Sequence, residues 1–188
     1  LVNVFPEVIS IIDRRLIQAV KFNGLDKERL CEELVFPAIS FGNWVGGDRD
    51  GHPLVTAQVT EFALLQLRLN AFVVIKRKLS MLVHRLSFAC KLEKLPEEVL
   101  NRIHQMEEEL GEKGKSCLDR NHGEAFRQFI NLMIGKLPVD TMRGHATQLA
   151  DTEGAYVHSK QLVSDLKMLQ SALLAYGARS TALDEVVT

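Results

Sequence analysis

The stretch Phe41-Gly42-Asn43-Trp44-Val45-Gly46-Gly47-Asp48-Arg49-Asp50-Gly51-His52-Pro53 holds the residue types best suited to chemistry in this chain, including its only tryptophan. Gly46, Gly47 and Gly51 open backbone conformations closed to other residues and let the main chain approach a ligand. Asp48, Arg49 and Asp50 are costly to bury unpaired, so they pair with one another or meet ions. A Gly-rich turn at the start of a helix can present N–H groups to an anion, and Trp44 adds a flat apolar wall. Residue types alone leave two readings open: a loop built to approach a ligand, or a tight, salt-bridged connection.

Several named sites are excluded. An EF-hand loop beginning at Asp48 would place Val59 where a carboxylate is required, and one with Gly51 sixth would begin on Gly46. The chain has no GxxxxGK[ST], no GxGxxG and no HExxH. His84, His104, His122, His145 and His158 are scattered, each reading as a surface or packing residue. Cys31, Cys90 and Cys117 form no CxxC pair and read as reduced thiols, not a disulfide frame or zinc site.

The elements that must position the loop are mostly helical. Pro6 suits a first helical turn, and Val8, Ile11, Ile12, Leu16 and Val20 follow at helical spacing until Asn23-Gly24. A short helix is expected over Asp26 to Leu34, then a strand over Ile39 to Trp44. Thr56 or Thr60 caps a helix of about 30 residues, about 45 Å long, running to Ala89 on Phe62, Leu65, Leu69, Phe72, Val73, Ile75, Leu79, Leu82 and Leu86. Arg68, Lys76, Arg77, Lys78, His84 and Arg85 interrupt it, against a membrane span of about 20 apolar residues.

Pro96 opens a helix to Leu110 with Leu100, Ile103 and Met106 on its face. Gly111 to Gly123 is expected to be an irregular, mobile connection. Helices follow over Glu124 to Leu137 and, weakly, Asp140 to Leu149; another is capped by Ser159, runs to Tyr176 and is ended by Gly177. Lys76-Arg77-Lys78 reads as a solvated face and Glu107-Glu108-Glu109 as a frayed helix end opposing the dipole.

With 188 residues, the chain is long enough for one domain with a core. Hydrophobic residues at 46% and charged residues at 25% fit a soluble globular protein. The net charge of -1 argues against a nucleic-acid scaffold or a polybasic membrane binder. No secretory leader is evident, giving the expectation of a cytoplasmic protein. Leu1 in place of Met and the apolar Val186-Val187-Thr188 suggest a piece of something longer.

The run from Phe41 through Leu54-Val55-Thr56 closely resembles a signature of phosphoenolpyruvate carboxylases, F-x-S-W-[MIV]-G-G-D-R-D-G-N-P-x-V-T. It departs at Asn43, commonly Ser, and His52, commonly Asn. Weaker likeness extends over nearly the whole chain. Val4-Phe5-Pro6 with Leu16 is similar to the helix before the signature. Glu124-Ala125-Phe126-Arg127 with Leu137 is similar to an E-P-Y-R segment. Tyr156, Leu162, Asp165-Leu166, Ser171, Leu174 and Gly177 follow a Y…L…DL…SL…G helix.

The resemblance implies an internal piece of an enzyme joining phosphoenolpyruvate and bicarbonate into oxaloacetate and phosphate with Mg²⁺ or Mn²⁺. It implies that Trp44 lines the apolar pocket around the substrate methylene, and that Gly46, Gly47, Asp48, Arg49, Asp50 and Gly51 form a supporting loop. No metal ligands, T-A-H-P-T segment or H-G-R-G-G loop align, so the chain alone is expected to be inactive. The fold expected is mainly α: long amphipathic helices with one short strand, excised from a helix-rich α/β-barrel enzyme. Lead-in helices span 1–38, strand and signature loop 39–56, and a helical region 57–188. The parent is expected to be a homo-oligomer, with no nucleic-acid or membrane partner. Two other classes stay open: a helical interaction or regulatory module of a degenerate homologue, and a small helical domain binding anionic metabolites.

Overall fold

The computed structural model describes residues 4–24, 42–48, 50–139, 148–150 and 153–178. The chain is mainly α-helical, with α1 (Phe5–Phe22), α2 (Ala57–Arg85), α3 (Glu97–Leu110), α4 (Glu112–Asp119), α5 (Ala125–Gly135) and α6 (Ser159–Ala175). A 3₁₀ turn, Leu92–Lys94, precedes α3. Among the described residues β structure is limited to two isolated bridges, Cys90 with Glu124 and Val139 with Leu149. Of the expected strand, residues 42–44 are irregular and 39–41 lie outside the described residues, as does the helix expected over Asp26 to Leu34.

Two compact units divide the chain, Leu1–Arg68 and Leu69–Thr188. In the first, α1 is stopped where Asn23 folds its Nδ2 onto the Ala19 carbonyl at 2.7 Å. Its apolar stripe is only half-covered, with Ile11 47% exposed. The first turns of α2 differ from the single stripe expected. Val59, Phe62, Leu64, Leu65 and Leu67 are spread around the helix, and Phe62 is 63% exposed. An 18-residue window of α2 reaches a mean hydropathy of 1.2, so by length and composition it passes the membrane-span test that its charges were expected to fail. The expectation weighed charges clustered in the second half, whereas the first half carries only Glu61 and Arg68.

In the second unit the stripe behaves as predicted: Leu69, Val73, Leu79, Leu82 and Leu86 are buried. The centre is α5, whose Phe126, Phe129, Ile130, Leu132 and Met133 are essentially inaccessible. A helix apolar nearly all round must be surrounded, and α3, α4 and α6 all pack on α5. Phe126 meets Phe88 at 5.4 Å and Tyr176 at 5.5 Å between ring centroids, within the range favourable for aromatic pairs.

The expected mobile connection from Gly111 to Gly123 is instead largely α4. Gly114, which reads as a breaker, is a contact point: a Cβ there would come 2.5 Å from the Glu107 carbonyl oxygen of α3. Of the helix expected over Asp140 to Leu149, residues 140–147 lie outside the described residues, while Leu149 forms an antiparallel bridge. Ser159 begins α6 and does not cap it. The cap comes from Gln161, whose Oε1 accepts 2.9 Å bonds from the backbone N–H groups of Val157 and His158.

Candidate functional site

The signature loop is held by its own short-range bonds and by the start of α2. Asn43 Oδ1 accepts from Val45 N at 2.9 Å, and the Trp44 carbonyl accepts from Gly47 N at 3.2 Å. Asp48 Oδ1 accepts from Asp50 N at 3.2 Å, an Asx turn. Thr56 caps α2, its Oγ1 accepting from Val59 N at 3.4 Å. Thr60 Oγ1 then donates a 2.6 Å bond to the Gly46 carbonyl.

Gly46 is required twice over. Its φ is +68°, a left-handed conformation unfavourable to other residues. A Cβ there would lie 2.5 Å from Ala63 Cβ and 3.2 Å from the Val59 carbonyl. Gly51, at φ +64°, faces open space. The loop therefore seats its backbone on α2 at one glycine and turns freely at another.

This seating leaves Trp44 on display, 79% exposed, with Val45 and Leu54 each 75% exposed. Gly47, Asp48, Asp50 and Gly51 are exposed, while Arg49 lies outside the described residues. The Asp48 carboxylate is engaged by its own loop; the expected pairing with Arg49 falls outside the described residues. Among the described residues no group of three or more His, Cys, Asp and Glu side chains is placed to hold a metal.

A second polar constellation was invisible in the sequence. Arg102 of α3 grips Asp165 of α6 through two bonds, Nε to Oδ1 at 2.7 Å and Nη2 to Oδ2 at 2.9 Å. The Tyr156 hydroxyl donates to the same Asp165 Oδ2 at 2.7 Å. Glu109 lies 3.6 Å from Arg102 and pairs directly with Lys136, whose ammonium sits 5.3 Å from the Tyr156 ring centre. Two cations and two carboxylates balance, which makes this burial tolerable. Burial, then the Asp165 charge, pushes the Tyr156 phenol well above its ordinary range, and the Asp165 bond holds Arg102 above its usual value. Glu109 thus belongs to a network, not to a frayed helix end. The Tyr156 and Asp165 resemblances hinted at it, and Arg102 and Glu109 share a face of α3 seven residues apart; nothing in the sequence ties Lys136 to them.

Arg127 Nη1 pairs with Glu124 at 2.6 Å and also donates to Ser87 Oγ at 3.1 Å. The family model for phosphoenolpyruvate carboxylase matches residues 1–188, the full length of the chain. The chain belongs to the phosphoenolpyruvate carboxylase family. It is 31% identical over 153 residues to a phosphoenolpyruvate carboxylase of Methylorubrum extorquens, covering 80% of this chain and 16% of that protein. A Chromobacterium violaceum phosphoenolpyruvate carboxylase is 31% identical over 151 residues, covering 78% and 16%. Phosphoenolpyruvate carboxylase 1 of Chlamydomonas reinhardtii is 27% identical over 201 residues, covering 96% and 20%. The chain thus spans between a sixth and a fifth of the length of these phosphoenolpyruvate carboxylases. No solved structure gives a significant match.

Proposed function

We propose that this chain supplies one wall of a site where phosphoenolpyruvate is carboxylated by bicarbonate, with Trp44 as the wall. The observation carrying this reading is Trp44 itself: a large apolar ring, 79% exposed, at the head of a loop anchored to α2. Exposed apolar surface of this kind marks an interaction or ligand site.

In the reaction, a bicarbonate oxygen takes the phosphoryl group, leaving the enolate of pyruvate and carboxyphosphate. Carboxyphosphate breaks into carbon dioxide and phosphate, and the enolate methylene carbon forms the new bond to carbon dioxide. The enolate must be kept from water and stray protons until that bond forms. A Trp ring against the methylene excludes both. In this reading Gly46, Gly47, Asp48, Arg49, Asp50 and Gly51 have a supporting role, as the loop that carries the ring.

The divalent cation of this chemistry, Mg²⁺ or Mn²⁺, has no ligand set among the described residues. In this reading its ligands and the remaining catalytic groups belong to the rest of the parent enzyme, and the 188 residues alone are inactive. This reading places the protein in the cytoplasm, acting as a homo-oligomer on small soluble substrates.

The test is oxaloacetate formation by the protein as its gene encodes it, supplied with phosphoenolpyruvate, bicarbonate and Mg²⁺. Activity supports the reading. A folded but inactive protein would leave the loop as architecture and favour a helical interaction module.

A further inference from the structure

We propose that Asn23 is a self-modification site: its side-chain amide is lost to the backbone nitrogen of Gly24, and the carboxylate left behind releases the last turn of α1. Of the chain's asparagines only Asn23 precedes a glycine. Glycine leaves its own nitrogen unshielded and its backbone free to turn. Both residues are exposed at the end of α1, and Gly24 holds a φ of +73°. Among the described residues nothing lies within 4 Å of the place a Gly24 Cβ would take.

The reaction needs no catalyst and no co-reactant but water. The Gly24 nitrogen attacks Asn23 Cγ, and the new N–Cγ bond closes a cyclic imide. The Cγ–Nδ2 bond breaks, and Nδ2 leaves as ammonia with the Gly24 amide proton. Water then opens the ring at either carbonyl. One opening gives aspartate at position 23; the other gives isoaspartate, with the main chain rerouted through Cβ and Cγ. Asparagine is among the thermolabile residues for this reason.

The other described asparagines are held away from this path. Asn70, Asn101 and Asn131 lie inside α2, α3 and α5, where the next N–H is committed to the helix. Asn43 Oδ1 accepts from Val45 N at 2.9 Å. Asn121 is held at both ends of its amide, Nδ2 to Glu124 at 3.3 Å and Oδ1 from Asn131 at 2.8 Å. Asn23 is held by an exposed bond, Nδ2 to the Ala19 carbonyl at 2.7 Å, at a helix end, where local opening is frequent. That bond is what the reaction destroys. The same carbonyl accepts the Asn23 N–H at 3.1 Å, so the product sets an anionic oxygen against a carbonyl that had met two donors. A negative charge there also opposes the helix dipole, and the last turn of α1 frays.

Peptide mass spectrometry tests this on the protein as its gene encodes it, folded and held at mildly alkaline pH. Asn23 should gain the mass of an amide-to-acid exchange with time, while Asn43 and Asn121 keep their amides. Gly24→Ala should slow the change several-fold by shielding the attacking nitrogen. Asn23→Asp installs the product directly, so its result does not depend on how Gly24→Ala folds. Amide hydrogen exchange over Ala19 to Phe22 should be faster in Asn23→Asp than in Asn23→Ala, which loses the donor but gains no charge. The proposal is overturned if folded Asn23 keeps its amide while the urea-unfolded protein loses it, or if Asn43 or Asn121 changes as fast. It is equally overturned if Asn23→Asp exchanges like wild type. Asn23 lies outside the signature loop, so failure here leaves the carboxylation reading standing.

Discussion

The Thr60 hydroxyl donates a 2.6 Å hydrogen bond to the carbonyl of Gly46, fourteen residues earlier in the chain. That bond ties the Gly-rich loop to the first turns of α2, which hold its backbone through Gly46 while Trp44 stays exposed. Thr60→Val keeps the shape and removes the donor. The expected cost is about 1 kcal/mol, the net worth of one hydrogen bond, with a shift in Trp44 emission as its loop loosens. Thr60→Ser should restore the wild-type spectrum; if Thr60→Val already shows it, the tie is not what positions the ring.

Gly46 and Gly51 separate backbone strain from close packing. Both have positive φ, but only Gly46 faces a wall. Gly51→Ala should cost about 1 kcal/mol from strain alone. Gly46→Ala should cost about 3 kcal/mol, strain plus overlap with Ala63. Chemical denaturation followed through Trp44 compares them. Equal losses would show that the approach to Ala63 is not tight.

The stripes that bury α3 and the second half of α2 were legible in the sequence, because an apolar face every three or four residues has one dominant explanation. Helix α4 was not. Gly111 and Gly114 read as breakers, whereas Gly114 is there to let two helix backbones meet at Glu107. The signature loop was legible as a resemblance, yet nothing local announced that Thr60 would reach back to Gly46. Charges failed most. Arg102 and Asp165 stand 63 residues apart and meet only because α3 and α6 pack.

The Arg102–Asp165 pair predicts an asymmetry. Asp165→Asn removes the bidentate partner of Arg102 and leaves it only the longer Glu109 contact, and should cost about 3 kcal/mol, the low end for breaking a buried pair. Tyr156→Phe removes one hydrogen bond to a charged group, about 1.5–3 kcal/mol. Thermal unfolding of the second unit reports both. A change smaller in Asp165→Asn than in Tyr156→Phe would contradict the network.

The same tyrosine sets an alkaline limit. An unfolded tyrosine loses its proton near pH 10, while folded Tyr156 keeps it, its phenol raised by burial and by Asp165. Above that pH the folded state binds more protons than the unfolded one, so stability falls as pH rises. The contribution is fully present below about pH 10 and is lost progressively above it. Unfolding midpoints measured from neutral to strongly alkaline pH should fall more steeply for wild type than for Tyr156→Phe. Parallel curves would mean that Tyr156 titrates alike in both states.

The proposed role of Trp44 in carboxylation is most directly tested by the fate of the enolate. Phosphate release counts every enolate made, and oxaloacetate counts those that capture carbon dioxide before a proton. In the protein as its gene encodes it, the two should match. In Trp44→Ala, with its melting curve unchanged, oxaloacetate should fall well below phosphate, with pyruvate making up the difference. Trp44→Phe should recover part of the match. Equal oxaloacetate and phosphate in Trp44→Ala at the wild-type rate would contradict the account, because the ring would then shield nothing.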